Sequence, residues 1–160
     1  MSETNQIVAD LAGPFESARV EESSGQIVVL LDPSDWYPFA EAAKKAGFEV
    51  CIDVTAVDWM RARPHRFEIV ANLLSMQHRL RLRMITTASR EEPSVASLVP
   101  VWPGANFAER EVYDMFGIEF ENHPDLTRIL MPDDWEGFPL RKDFGVGGVP
   151  VQFKASHQVN

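Results

Sequence analysis

Phe67-Glu68-Ile69-Val70-Ala71-Asn72-Leu73-Leu74-Ser75-Met76-Gln77-His78-Arg79-Leu80-Arg81-Leu82-Arg83-Met84 is the stretch that decides the fold class. Phe67, Ile69, Ala71 and Leu73 alternate with Glu68 and Asn72, and Leu80, Leu82 and Met84 alternate with Arg79, Arg81 and Arg83. A period of two belongs to a strand with one buried face, so the stretch predicts a β-hairpin turning at Ser75–His78. Three arginines then share its other face. They fit either a solvated sheet surface or a docking surface for an acidic neighbour, to which Arg61, Arg63 and Arg66 at the preceding turn would add.

Upstream, Ile7, Val8 and Leu11 predict a short helix before Gly13-Pro14. Ser17–Glu22 and Gln26–Leu31 predict two strands around Ser23-Ser24-Gly25. Asp32 or Ser34 caps a helix from about Asp35 to Ala46, with Trp36, Phe39, Ala40 and Ala43 on its apolar face and Gly47 at its end. Phe48, Val50, Ile52, Val54 and Ala56 then alternate with polar residues as the buried side of a further strand.

Downstream, Pro93 to Pro103 predicts a turn-rich connection with a short helical turn at Ser94–Leu98. A helix follows from Ala105 to Phe116, with Ala108, Val112, Met115 and Phe116 on one side and Gly117 as its terminator. From about Glu121 periodicity is lost among prolines and glycines, yet large apolar side chains persist, from Leu126 to Phe144. A solvated tail rarely carries such groups. The fold class expected is therefore α+β: a mixed or antiparallel sheet with helices packed on it (residues 1–117), followed by an extended arm (118–160). The arm is expected to bury its apolar groups against another protein rather than its own domain, and to lack order before it does so.

The bulk numbers narrow the chemistry. At 160 residues the chain suits one compact domain with a core. A net charge of -9 disfavours nucleic acid as a partner. Its single cysteine, Cys51, excludes an intrachain disulfide and a cluster held by four cysteines of this chain. No apolar run reaches the ~18 residues of a membrane-spanning helix. The first residues lack a secretory pattern, which makes a cytoplasmic location the default expectation.

Motif by motif, catalytic chemistry finds little support. There is no Gly-x-Ser-x-Gly elbow, and the cluster Gly145-Val146-Gly147-Gly148 has no helix after it to make a phosphate site. Glu109, Glu111, Asp114 and His123 are the best candidates for a metal-carboxylate centre. However, Glu109 and Glu111 point about 200° apart on a helix, so one ion cannot gather them. Arg110 and Asp114, four residues apart, suit a surface ion pair of about 0.3–0.5 kcal/mol. Between Asn106 and Phe144 ten acidic residues face four basic ones (Arg110, Arg128, Arg141 and Lys142), so an acidic arm could pair with the basic hairpin or address a separate neighbour.

Ala108-Glu109-Arg110-Glu111-Val112-Tyr113-Asp114-Met115-Phe116-Gly117-Ile118 begins a series of ordered blocks. His123-Pro124, Arg128-Ile129-Leu130-Met131-Pro132-Asp133-Asp134-Trp135 and Gly137-Phe138-Pro139-Leu140-Arg141-Lys142-Asp143-Phe144 complete it. The series resembles the signature of one family of complex I (NADH–quinone oxidoreductase) proteins, the bacterial C subunit with the mitochondrial 30 kDa subunit and its chloroplast-type counterpart. The match runs from about Trp102 to Phe144. Thr127 departs from the basic residue or proline common in the family, and the chain stops soon after 149–154, short of the extension some relatives carry. The resemblance implies a scaffold without an active site, in the peripheral arm on the cytoplasmic side of the membrane, which it would touch only through the complex. Its implied neighbours are the quinone-site (D) subunit and the B and I subunits. NADH, FMN, iron–sulfur clusters and quinone would then sit on other subunits, with no cofactor here. Glu109, Arg110, Glu111, Asp114, His123, Pro124, Arg128, Pro132, Arg141, Lys142 and Asp143 would be interface and arm-anchoring residues. A related scaffold in a membrane-bound hydrogenase or other-donor dehydrogenase is the alternative the resemblance allows.

Overall fold

A computed structural model describes residues 3–145; the remainder of the glycine cluster and the segment 149–154 lie outside the described residues. In chain order its elements are α1 (Glu3–Ala12), β1 (Arg19–Ser23), β2 (Gln26–Leu30), α2 (Pro33–Lys45), β3 (Val50–Asp58), β4 (Phe67–Ser75), β5 (Leu80–Ala88), β6 (Ser94–Ala96), α3 (Ala105–Phe116) and β7 (Glu119–Glu121). Five strands form one sheet in the order β1-β2-β5-β4-β3, and β6 and β7 form a separate parallel pair. This is the α+β class that the sequence predicts. Among the described residues no helix is long and apolar enough to cross a membrane.

The decisive hairpin forms as expected. β4 and β5 pair antiparallel, with Leu73 opposite Leu82 and Ala71 opposite Met84, and all four side chains are buried. On the reverse face Asn72 lies opposite Arg83, and the Arg83 guanidinium donates to the Asn72 side-chain oxygen at 3.1 Å. β1 and β2 make a second hairpin through Ser24 and Gly25, both with positive φ, the geometry of a tight turn that follows the strands' twist. β2 then runs parallel to β5, which makes the sheet mixed.

Helices cover one face. Trp36, Phe39, Ala40 and Ala43 of α2 are buried as the periodicity predicts, and the Trp36 indole N–H donates to the Ala96 carbonyl at 3.1 Å. α2 begins two residues earlier than expected because Pro33 occupies the first turn, where its missing N–H costs nothing. α3 packs along β3, and the Trp102 indole just before it donates to the Phe48 carbonyl at 3.1 Å.

Two expectations are corrected. Ser94–Leu98 contains no helical turn: Ser94–Ala96 is β6, paired with β7 so that Val95 meets Phe120. A three-residue strand takes its structure from a partner 25 residues on, which no local preference reports. In β3 the register shifts between Cys51 and Asp53, so Ile52 has no partner across the ladder. This bulge breaks the alternation. Val54 and Ala56 are buried as predicted, whereas Val50 and Ile52 are exposed.

α3 ends where Gly117 adopts φ 67° and its amide reaches the Tyr113 carbonyl at 2.8 Å, a left-handed cap. A Cβ on Gly117 would stand 2.4 Å from the Phe138 ring. Gly117→Ala is therefore expected to destabilise the chain by about 2 kcal/mol through backbone strain alone, and more if Phe138 is displaced. A urea-unfolding midpoint measured beside the parent would check this; an unchanged midpoint contradicts it.

Candidate functional site

The residues that the motif singles out gather along a seam between α3 and the arm. α3 carries two carboxylates, Glu109 and Asp114, that are fully buried, while Glu111 faces solvent, as a helical period of 3.6 requires. A buried carboxylate is tolerated only with donors around it, so the location of those donors defines the site.

Glu109 is met from the β6 side. The Ser97 hydroxyl donates to its Oε2 at 2.6 Å and the Leu98 amide to its Oε1 at 2.6 Å. Burial outweighs both bonds and pushes its carboxyl up to about 7. The His123 ring, itself fully buried, places Nε2 4.0 Å from Glu109 Oε2 and 3.3 Å from the Asn106 carbonyl. Its Nδ1 accepts the Asp125 amide at 3.0 Å, so Nε2 is the nitrogen that carries the proton.

Asp114 holds the arm. Its Oδ2 accepts three successive amides, Ile129 at 3.0 Å, Leu130 at 2.7 Å and Met131 at 2.8 Å. Its Oδ1 accepts Arg128 at 2.6 Å. Burial acts to raise its pKa, but the Met131 amide, Arg128 and the other two amides outweigh it and hold the carboxyl below the usual aspartate range. Arg128 also donates to the carbonyls of Asp114 (3.2 Å), Trp135 (3.1 Å) and Gly137 (3.2 Å). The expected Arg110–Asp114 ion pair does not form. Asp114 faces its four donors in the arm, and Arg110 instead donates to the carbonyls of Thr127 and Arg128, each at 3.1 Å. Thr127 thus contributes main chain here, so its departure from the family pattern leaves this contact intact.

A second fastening lies further along. Asp58 at the end of β3 accepts the Met60 amide at 2.8 Å, the Lys142 amide at 2.9 Å, and Arg66 through Nε at 3.1 Å and an outer nitrogen at 2.8 Å. Arg66 also binds Asp143 at 2.9 and 2.7 Å. Against the effect of burial, Arg66 and the two amides hold the Asp58 carboxyl down to about 2, and Arg66 lowers Asp143. Arg141 donates to the carbonyls of Phe116 and Gly117 and stacks on Phe138, 4.6 Å from its centroid.

Arg66 therefore belongs to neither of the surfaces that the sequence allows for the basic region, because it is buried and taken up by two aspartates. Among the described residues the acidic arm and the basic region meet at this one point. The seam brings together Glu109, Arg110, Asp114, His123, Arg128, Arg141, Lys142 and Asp143, whereas Glu111, Pro124 and Pro132 stand exposed outside it. Asp58, Arg66 and Ser97 are partners that sequence reasoning missed. Asp58 and Arg66 flank the β3–β4 turn and could have been suspected as a pair, while Ser97 carries no local signal. The apolar groups of the arm divide between two surroundings. Leu126 and Met131 pack on this chain's own core, and Leu130 and Leu140 remain more than half exposed.

Chemically, the seam is built to hold chain. Each of its aspartates already receives N–H donors, and the Cys51 thiol, pushed up to about 12 by burial and the Glu109 carboxylate, is a poor nucleophile. Among the described residues no three His, Cys, Asp or Glu side chains are placed to share an ion.

Asp114→Ala would leave Arg128 and three amides without their acceptor and is expected to cost about 3–5 kcal/mol. A urea midpoint near that of the parent would contradict this role. Glu109 acts in the opposite pH direction. Its raised pKa means that the folded chain holds the proton more tightly, so this contribution is complete below about 4.5 and is lost as pH rises through about 7. The depressed aspartates contribute above the ordinary value of 3.8 and lose that contribution as pH falls, for Asp58 toward about 2. Glu109→Gln, which mimics the protonated acid, is expected to remove most of the stability decline between pH 4.5 and 7.5. Unfolding curves across that range test this, and an unaltered slope would assign the decline elsewhere.

Similarity to known proteins agrees with this architecture. The C subunit of NADH-quinone oxidoreductase from Geobacter metallireducens is 40% identical over 151 residues, covering 92% of this chain and 93% of that protein. Its namesake in Saccharopolyspora erythraea is 50% identical over 109 residues, covering 68% of this chain. The chain spans only 44% of that longer relative. A solved fragment of Nqo5 superposes with a TM-score of 0.69 at 29% identity, covering 76% of this chain and 98% of the fragment. A chain of a membrane-bound sulfane sulfur reductase, an archaeal respiratory membrane complex, shares the fold with a TM-score of 0.78 at 21% identity over 98% of both. The model of the respiratory-chain NADH dehydrogenase 30 kDa subunit family matches residues 29–150, and with these likenesses to that family's signature and fold the chain belongs to it.

Proposed function

We propose that this chain is a non-catalytic scaffold subunit in the peripheral arm of an NADH–quinone oxidoreductase. In this reading it supports electron transfer from NADH to quinone, coupled to ion translocation, through cofactors carried by other subunits. The observation that supports it most is the division of labour along the arm. Asp114, Arg110, Arg128 and Arg141 fasten the chain to itself, while Ile129, Leu130 and Leu140 turn apolar surface outward. Exposed apolar groups on a firmly held backbone are suited to burial by a partner. The partners of this reading are the quinone-site (D) subunit with the B and I subunits, on the cytoplasmic side of the membrane, which the chain meets only through them.

A second reading, an equivalent scaffold in a membrane complex with another donor or acceptor, draws on the fold shared with the sulfane sulfur reductase chain. Gentle affinity purification of the tagged chain from its host separates the two. Recovery of quinone-site and cluster-bearing subunits with NADH–quinone activity supports the first, and recovery with hydrogenase or sulfur-reducing subunits supports the second. The chain recovered alone, with stoichiometric metal, would point back to a free-standing enzyme using Glu109, Glu111, Asp114 and His123.

The double substitution Leu130→Asp with Leu140→Asp is expected to abolish that co-purification while moving the unfolding free energy of the isolated chain by no more than about 0.5 kcal/mol per site. Partners retained in full yield would show that the outward ridge is not the docking surface.

A further inference from the structure

We infer that residues 125–144 act as a strap closed by two unequal latches, and that the distal latch opens while the proximal one stays shut. The proximal latch is Asp114. Opening it would strand a fully buried carboxylate that, among the described residues, has four donors from the arm and no others. Such a group has no alternative arrangement, so this part of the arm leaves only with the fold around it.

The distal latch differs in kind. Arg66 holds two carboxylates at once, and when Asp143 departs it keeps both bonds to Asp58, at 3.1 and 2.8 Å. Asp58 in turn keeps Arg66 and the Met60 amide after the Lys142 amide is lost, and it still offsets the neighbouring charges of Arg66 and Arg141. The departing Asp143 side chain is already 48% exposed, so water replaces its partner at once. No buried charge is orphaned on either side. Opening is therefore confined to the chain from Lys142 onward, because the Leu140 amide remains on the Met115 carbonyl at 3.0 Å and Arg128 keeps the Trp135 and Gly137 carbonyls.

The strap is consequently a fixed band with a releasable end, a device by which the last described residues can change partners without loss of the domain. It does not depend on which assembly the chain joins. Amide hydrogen exchange on the full chain tests it, comparing Lys142 with Leu130 and Met131. The Lys142 amide is expected to exchange at least about tenfold faster than the other two, and several-fold faster again in ~1 M salt, where the screening length falls to about 3 Å. Asp143→Asn, a change at a half-exposed site, should raise Lys142 exchange by about tenfold while leaving Leu130 and Met131 unchanged. Equal rates at all three amides in the parent chain, or a variant that deprotects all three together, would show one cooperative unit and overturn the proposal.

Discussion

A carboxylate placed on the inward side of a helix is the constraint around which this molecule is arranged. Asp114 cannot find donors within α3, whose own amides beyond the first turn are engaged in the helix, nor in the apolar face of the sheet. The chain must return to it, and it does so with the three consecutive amides of Ile129, Leu130 and Met131 and the guanidinium of Arg128. A stretch with neither helix nor ladder thereby acquires a defined path. Asp58 repeats the principle on the sheet, collecting the Lys142 amide and Arg66. Side-chain oxygens here do for the arm what a neighbouring strand does for a strand.

Much of this was legible in the residues, for reasons that can be named. The β4–β5 hairpin and α3 each carry a full period of their own pattern, and both are where the pattern puts them. Gly117 marks a helix end because the chain needs a left-handed residue there. The failures are equally specific. β6 is a strand only because β7 lies alongside it. A single unpaired residue, Ile52, was enough to turn Val50 outward. In the sequence Arg66 is one of several arginines around a turn, and nothing near it announces that Asp143 comes back to meet it.

The candidate site was legible as a set of residues but not as a set of roles. Residues 109, 110, 111 and 114 are adjacent in the motif yet face different surroundings: Glu109 the β6 connection, Arg110 the main chain of Thr127 and Arg128, Glu111 solvent, and Asp114 the arm. Side-chain direction on a helix sorts the first level of this, and only the returning chain supplies the second. A signature dense in charge can therefore specify architecture rather than reaction. The chain's membership of the 30 kDa subunit family rests on this same stretch, which lies within the residues that the family model matches.

The irregularity in β3 has a consequence of its own. A five-stranded open sheet exposes two borders, and any straight, apolar border invites the same border of another molecule to continue it. β1 closes one border with Arg19, Glu21 and Glu22, whose charges would have to be desolvated before a strand could add. β3 closes the other through its bulge, which throws the ladder out of step between Cys51 and Asp53. The exposed Val50 and Ile52 consequently sit on a warped rim and not on a template. Neither border therefore offers a second copy of this chain a straight, apolar edge to extend.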